Sequence, residues 1–95
     1  MGGPRLSVVI PAYNEAKRIG ATLIDVHAYL VKQSCSAEII VVDDGSADRT
    51  ADVVRSEFPA VHVISYSENR GKGHAVRTGM LAAKGEVRLF FDADG

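Results

Sequence analysis

Carboxylate side chains are concentrated at three places in this chain, and each place directly follows a short apolar run. Glu15 follows the first run, Asp43 and Asp44 close the second, and Asp92 and Asp94 follow the fourth. Grouped carboxylates repel one another, so we expect a cation to bind where they meet. Oxygen ligands select a hard cation such as Mg²⁺ or Mn²⁺, which commonly bridges protein carboxylates and the oxygens of a diphosphate. Asp92 and Asp94 suit such a metal site, where the cation stabilises charge on a leaving group.

The segment at residues 69–74, with the sequence NRGKGH, carries complementary chemistry. Gly71 and Gly73 allow the backbone to approach a ligand closely. Lys72 supplies a positive charge near the start of a predicted helix, whose free N–H groups also attract anions. We interpret the segment as a phosphate-facing loop, although it lacks the Gly-x4-Gly-Lys-Ser/Thr pattern of a Walker motif.

The elements that must position these residues follow from the apolar spacing. Runs rich in Val, Ile and Phe predict β-strands at residues 6–11, 38–43, 61–66 and 87–91. Helical spacing predicts helices at residues 15–32, 46–57 and 73–84, the second with Ser46 as its N-cap. This β-α-β-α-β-α-β order predicts an α/β fold with a parallel sheet and right-handed crossovers. With a sheet order of 3-2-1-4, the carboxylates converge on the ligand-binding edge of the sheet.

Composition limits the classes of protein to consider. The chain has 95 residues and a formal net charge of −1, which argues against a general nucleic-acid-binding or anionic-membrane-binding surface. A single cysteine excludes an intrachain disulfide, so a cytoplasmic location is expected. The chain stops at Gly95, directly after an acidic cluster. We therefore expect a truncated fragment of a longer protein.

Four motifs occur in order along the chain: SVVIPAYNE, IIVVDDGSADRT, NRGKGHAVRTG and FFDADG. With them the sequence resembles the N-terminal, nucleotide-sugar-binding part of a family 2 glycosyltransferase, and within that family the polyprenyl- (dolichyl-) phosphate glycosyltransferases. The resemblance covers residues 6–95 and leaves residues 1–5 as an N-terminal tail. It implies a Rossmann-like GT-A fold.

The resemblance also implies roles for individual residues. The nucleotide pocket would be lined by Pro11, Tyr13 and Glu15, while Val42 and Asp44 would contact the base or ribose. The DxD-type metal motif would be Asp92, Ala93 and Asp94, with Asp94 as the main metal ligand and Asp92 beside the ribose and the metal. Lys72 would lie near the base or a phosphate.

The implied reaction is inverting transfer of a hexose from UDP- or GDP-hexose to a polyprenyl phosphate, with Mg²⁺ or Mn²⁺ neutralising the departing diphosphate. An acceptor phosphate is already anionic at neutral pH, so no strong base is needed, and we assign no catalytic residue. The acceptor-facing half would lie beyond Gly95, in a parent protein associated with the cytoplasmic face of a membrane. We expect the fragment alone to be inactive, and its uncovered apolar surface to favour a homodimer.

Two other classes share parts of this pattern. The sequence LFFDADG also fits the first motif of a haloacid-dehalogenase-type phosphatase, in which Asp92 would be the nucleophile and Asp94 a general acid. That motif normally begins its domain, however, and here it ends the chain. The pair Asp43–Asp44 is also compatible with a phosphoacceptor receiver domain, although there the pair follows the first strand. A nucleotide-binding module without catalysis remains a third interpretation.

Overall fold

The computed structural model describes residues 3–34 and 36–92. It contains four strands and three helices in strict alternation: β1 (Leu6–Ala12), α1 (Ile19–Gln33), β2 (Ala37–Asp44), α2 (Thr50–Glu57), β3 (His62–Tyr66), α3 (Lys72–Ala82) and β4 (Val87–Phe90). The strands form one sheet in the order β3-β2-β1-β4, and every pair is parallel. This confirms the predicted α/β fold and its 3-2-1-4 sheet order. No helix within the described ranges is both long and apolar enough to cross a membrane.

The register of the sheet brings the carboxyl ends of the strands to one edge. Ala12 at the end of β1 lies opposite Asp43, and Asp44 at the end of β2 lies opposite Tyr66. On the other side of β1, Val9 pairs with Phe90. The loops that follow the strands therefore start side by side, which is the arrangement that places ligand sites in parallel α/β sheets.

Each face of the sheet is covered by helices. On one face, Val8, Ile10 and Val41 pack against the apolar stripe of α1 and against Val54 of α2. That stripe consists of Ile19, Leu23, Val26 and Leu30, as the helical spacing predicts. The central strands are buried on both sides, which explains why their sequences are nearly continuous apolar runs.

The opposite face is covered by α3, which lies very close to the sheet. Ala75 packs there with Val9, Ile40 and Val42. A Cβ atom added at Gly79 would overlap the side chain of Val9. The small residues of α3 thus set the close packing distance between this helix and the two central strands.

The start of α2 differs from the prediction. The helix begins at Thr50 rather than at Ser46, and Ser46 is not its N-cap. Its first backbone N–H is instead satisfied by Asp48, whose Oδ1 accepts a hydrogen bond from Thr50 N at 3.0 Å. The Ser46 hydroxyl accepts a hydrogen bond from Asn14 N at 2.8 Å, so residues 46–49 form a connection between loops and not a first helical turn. α1 likewise begins later than predicted, at Ile19.

A partly buried polar network ties the amino edge of the sheet to the connection between α3 and β4. Ser7 Oγ donates to Glu38 Oε2 at 2.6 Å, and the same carboxylate oxygen accepts from Lys84 N at 2.7 Å. Gly85 N donates to Ser7 Oγ at 2.8 Å. Burial opposes ionisation of Glu38, but these hydrogen bonds and the nearby charges of His62 and Lys84 outweigh it. The pKa of Glu38 is therefore lowered from its ordinary value of 4.5.

This network predicts a pH-dependent contribution to stability. A carboxyl whose pKa is lower in the folded chain stabilises the fold above pH 4.5, and the stabilisation is lost as the pH falls through the folded-state pKa. We expect Glu38→Gln to lower the free energy of unfolding by about 1–2 kcal/mol at neutral pH, and by progressively less in acid. Urea unfolding at a series of pH values measures this difference.

The matched control is Glu86→Gln, which makes the same change at an exposed carboxylate lying 3.9 Å from Arg5. Its effect should be small, because exposed ion pairs contribute little to stability. Equal effects of the two substitutions at every pH would contradict the role assigned to Glu38.

Candidate functional site

A cavity of about 250 Å³ opens at the carboxyl edge of the sheet. Its walls come from the loops after β1, β2 and β3 and from the segment after β4. The lining residues are Pro11, Ala12, Tyr13, Glu15, Asp44, Asn69, Gly71, Lys72 and Asp92. Six residues predicted from the sequence thus meet in one place: Pro11, Tyr13, Glu15, Asp44, Lys72 and Asp92. Ala93 and Asp94, also predicted for this site, lie outside the described residues.

Val42 lies away from this cavity. Its side chain is fully buried between the sheet and α3, where it packs with Val9 and Ala75. Successive side chains of β2 point to opposite faces of the sheet, and that of Val42 points toward α3. Val42 therefore does not line the cavity. The position of its side chain therefore does not support the prediction that Val42 contacts the base or ribose.

The carboxylate of Asp44 holds the loop that leads into α3. Its Oδ1 accepts a hydrogen bond from Arg70 N at 2.9 Å. Its Oδ2 accepts from Gly71 N at 3.0 Å and from Asn69 Nδ2 at 3.1 Å. Asn69 Nδ2 also donates to the backbone carbonyl of Asp44 at 3.2 Å. Three donors thus satisfy the hydrogen-bonding capacity of a carboxyl group that is almost completely buried, which is what burial of such a polar group requires.

Gly45 gives this loop room to approach β2. Its φ is +69°, a left-handed conformation that favours glycine. A Cβ atom at this position would overlap the backbone of Glu68 and Asn69. Any larger residue after Asp44 would therefore push the loop away from the carboxylate that binds it.

Tyr66 lies next to Asp44 beneath the loop. Its hydroxyl is buried, and no described residue makes a hydrogen bond of ordinary geometry to it. Burial raises the pKa of Tyr66, and the neighbouring carboxylate of Asp44 raises it further. The ring stands edge-on to His74 with the centroids 5.4 Å apart. Tyr66 is thus a neutral packing residue under the site.

A second set of hydrogen bonds joins the loop after β1 to the loop after β2. Asn14 N donates to Ser46 Oγ at 2.8 Å, and Asn14 Oδ1 accepts from Ala47 N at 2.8 Å. Glu15 N donates to Thr50 Oγ1 at 2.9 Å. Asn14 has a φ of 54°, a left-handed conformation that asparagine tolerates better than most residues. The two loops therefore hold each other in place through reciprocal contacts.

Asp48 completes this connection. Its Oδ2 accepts a hydrogen bond from Ala16 N at 3.1 Å, and its Oδ1 accepts from both the backbone N–H and the hydroxyl of Thr50. Partial burial opposes ionisation of Asp48, but these hydrogen bonds outweigh it and lower its pKa. The sequence analysis did not predict this role for Asn14, Ser46, Asp48 or Thr50. The sequence indicated only that several polar residues typical of turns follow each of these two strands.

Glu15 is one of the residues that line the cavity. The residue is only 5% exposed, and its Oε1 lies 2.8 Å from Arg18 Nη2. This ion contact lacks hydrogen-bond geometry, so Oε1 has no hydrogen-bond donor among the described residues. Its partner among the described residues is the guanidinium of Arg18.

Lys72 and Asp92 are in contact at the wall of the cavity. The ammonium group of Lys72, at the start of α3, forms an ion pair with the carboxylate of Asp92, which follows β4. The pair connects the start of α3 to the segment after β4.

The acidic residues meet at the predicted edge, but each has its own partner. Arg18 accompanies Glu15, backbone and amide N–H groups surround Asp44, and Lys72 accompanies Asp92. Across residues 3–34 and 36–92, no group of three or more His, Cys, Asp or Glu side chains is placed to hold a metal ion. A single carboxylate such as Asp92 nevertheless fits Mg²⁺-type binding, in which one or two carboxylates act together with substrate phosphates.

The model of the family described as "Glycosyl transferase family 2" matches residues 7–95. The chain belongs to this family. This confirms the resemblance seen in the four motifs and removes the phosphatase and receiver-domain alternatives, since the match includes every strand of the sheet.

Two similar proteins are identical to this chain at more than 40% of the aligned positions. The dolichyl-phosphate beta-glucosyltransferase of Drosophila melanogaster is 45% identical over 100 residues, and the human protein of the same name is 42% identical over 101 residues. These alignments cover 95% and 96% of the chain, respectively. The chain spans 31% of the length of each relative.

Solved structures of similar fold include two proteins in complex with Mn²⁺. The mannosyltransferase PcManGT from Pyrobaculum calidifontis, in complex with GDP-Man and Mn²⁺, gives a TM-score of 0.80 at 36% identity, covering 96% of this chain and 28% of that one. Glucosyl-3-phosphoglycerate synthase from Mycobacterium tuberculosis, in complex with Mn²⁺, UDP and glucosyl-3-phosphoglycerate, gives 0.73 at 31% identity, covering 96% and 34%. Their likeness supports assignment of the sheet to the GT-A fold.

The contacts between the first two loops predict a specific loss of stability. Asn14→Ala removes the acceptor for Ala47 N and places alanine in a left-handed conformation. We expect the free energy of unfolding to fall by about 1–2 kcal/mol. Asn14→Asp keeps an acceptor oxygen and should retain most of the stability in urea unfolding. Equal losses for Ala and Asp would show that the acceptor does not matter.

Proposed function

We propose that residues 6–95 form the donor-binding part of an inverting glycosyltransferase, which binds a nucleotide diphosphate sugar in the cavity at the carboxyl edge of the sheet. The single observation that carries this proposal is the convergence of all four strand-end segments on that cavity, within a family 2 fold. The Mn²⁺ complexes of two similar structures, with GDP-Man and with UDP, support a UDP- or GDP-hexose as the donor.

The lining residues suggest how a nucleotide would be held. Glu15 lines the cavity, and a carboxylate there suits a hydroxyl or N–H donor of a nucleoside. Tyr13 is 48% exposed at the cavity, so its ring is available for stacking against a base. Lys72 lies at the amino end of α3, where its charge and the helix dipole both favour a diphosphate.

The proposed metal ligands are Asp92 and Asp94, with Mg²⁺ or Mn²⁺ as the cation. Asp92 supplies a carboxylate group at the cavity, close to the ammonium group of Lys72. When bound, a divalent cation there supplies Lewis-acid stabilisation of the departing diphosphate. Lys72 adds a second positive charge beside Asp92, and Glu15, which also lines the cavity, keeps the nucleoside oriented.

The proposed acceptor is a polyprenyl phosphate, bound by parts of the full-length protein beyond these 95 residues. The similarity to dolichyl-phosphate beta-glucosyltransferases supports this assignment. A phosphate acceptor is ionised at neutral pH, so the reaction needs no general base from this chain. We further propose that the parent protein is associated with the cytoplasmic face of a membrane, where such a lipid acceptor is accessible.

Calorimetry tests the proposed donor site. Titration of UDP-glucose and GDP-mannose, each with and without Mn²⁺, should give binding that depends on the metal. Asp94→Asn should weaken metal-dependent binding about tenfold or more, since it removes a charged ligand from the cation. Asp25→Asn, the same change on exposed α1, is the matched control and should leave binding unchanged.

Equal affinity for the nucleotide sugars with and without metal would contradict the proposed metal site. Stable phosphorylation of Asp92 by acetyl phosphate would contradict the transferase assignment, because it would mark that residue as a phosphoryl acceptor.

We also propose that the chain forms a homodimer through β4. This strand is at the edge of the sheet, and its Val87, Leu89 and Phe90 and the adjacent Phe91 are between 41% and 47% exposed. An uncovered apolar edge strand is prone to pair with another strand.

Light scattering over a concentration series tests self-association. The average mass should rise toward that of a dimer, and Phe90→Glu should shift this rise to higher concentration because it places a charge at the contact. Val31→Glu makes a comparable change at an exposed apolar position on α1 and should have no such effect. A monomer at every concentration would rule out the dimer.

A further inference from the structure

We propose that Lys72 is an internal counter-ion for Asp92, so that the cavity binds a divalent cation strongly only together with the diphosphate of a nucleotide. This coupling rests on the proposed function, which gives the cation to Asp92 and the diphosphate to Lys72. It goes further, because it makes the binding of each ligand depend on the other through one lysine side chain.

The ion pair places a positive charge on the carboxylate that a cation would use. Lys72 Nζ contacts Oδ2 of Asp92, and both residues line the cavity. The side chain of Asp92 is 31% exposed and that of Lys72 is 52% exposed. Asp92 is thus partly removed from water, where a carboxylate gains more from a positive partner than it does in open solvent. Lys72 supplies that partner from within the chain.

A divalent cation and the ammonium group of Lys72 compete for this carboxylate. Both are positively charged, and like charges within a few ångströms repel each other more strongly where water is partly excluded. A cation that binds Asp92 by itself must therefore displace Lys72 and also bear its repulsion. The affinity of the chain for the cation alone is lowered accordingly.

The side chain of Lys72 can leave Asp92 while its backbone stays in place. Gly71 O accepts a hydrogen bond from Ala75 N at 3.1 Å, which fixes the first turn of α3 around Lys72. A Cβ atom added at Gly71 or at Gly73 would meet no atom from another part of the described chain within 4 Å. The ammonium group, on its flexible stem, thus has open space on both sides into which it can turn.

The diphosphate of the nucleotide relieves this competition. Its negative charge provides a second partner for the ammonium group of Lys72, at the amino end of α3, where the helix dipole also favours an anion. With Lys72 on the diphosphate, Asp92 is released to the cation, which itself attracts the diphosphate. Each ligand therefore raises the affinity for the other, and part of this coupling depends on Lys72.

Titration of Mn²⁺ without nucleotide tests the competition. Free Mn²⁺ is measured by electron paramagnetic resonance for the unmodified chain and for Lys72→Met, which keeps a long side chain without the charge. We expect Lys72→Met to bind Mn²⁺ about three- to tenfold more tightly, because the cation no longer displaces an ammonium group. An ion pair that only attaches α3 to the segment after β4 would give the opposite result, since its loss would loosen Asp92. Equal or weaker binding of Mn²⁺ by Lys72→Met would overturn the proposal.

Two further variants separate the ion pair from a general change of charge. Lys72→Arg retains a cation beside Asp92 and should bind Mn²⁺ within about twofold of the unmodified chain. Lys32→Met removes the charge of an exposed lysine in the last turn of α1, and it should also stay within about twofold. If either variant binds Mn²⁺ as tightly as Lys72→Met does, the ion pair is not the cause and the proposal fails.

Titration of UDP and GDP with Mn²⁺ in excess tests the coupling. Lys72→Met should bind the nucleotide that the unmodified chain binds about tenfold more weakly, an effect opposite in sign to that on Mn²⁺ alone. Unchanged or tighter nucleotide binding would show that Lys72 does not pass to the diphosphate, and would overturn the coupling. Absence of nucleotide binding by the unmodified chain would contradict the proposed function, whereas tighter binding of Mn²⁺ alone by Lys72→Met would still support Lys72 as the counter-ion of Asp92.

Discussion

The geometry of the site depends on carboxylate and hydroxyl oxygens that accept hydrogen bonds from the backbone N–H groups of neighbouring loops. A parallel sheet satisfies its own backbone but leaves the loops after each strand without regular partners. Here Asp44 satisfies two N–H groups of the loop that leads into α3, and Asp48 satisfies one from the loop after β1 and one from α2. These hydrogen bonds thereby join the loops after β1, β2 and β3, which are distant in sequence, at one edge of the sheet.

These contacts also explain how several acidic groups coexist at one edge. Repulsion between carboxylates is offset when each has its own hydrogen-bond or ion-pair partner, and the structure supplies a different kind of partner in each case. Glu15 has a guanidinium beside it, Asp44 has N–H donors, and Asp92 has an ammonium group. Each of these carboxylates therefore has a partner of its own, and Asp92 also lines the cavity.

The sequence analysis predicted the fold well because the fold depends on local patterns. Continuous apolar runs marked the two central strands, and the stripe of Ile19, Leu23, Val26 and Leu30 marked the buried face of α1. The start of α2 was predicted wrongly for a physical reason. Ser46 is a residue type that often caps helices. In the structure, however, its hydroxyl accepts a hydrogen bond from Asn14 N, and local sequence patterns do not reveal a partner 32 residues away.

The apolar periodicity of the sequence determined the alternation of strands and helices, and its four motifs indicated the family. The 3-2-1-4 strand order was a hypothesis at that point, and the pairing of the strands confirmed it. Only the tertiary structure decided what each acidic residue does at the carboxyl edge. Asp44 and Asp92 are the same amino acid at equivalent strand ends, yet one is almost fully buried under a loop and the other pairs with Lys72 at the cavity. The difference comes from which backbone and side-chain groups the fold brings within hydrogen-bond distance, and that is set by packing between elements far apart in the chain.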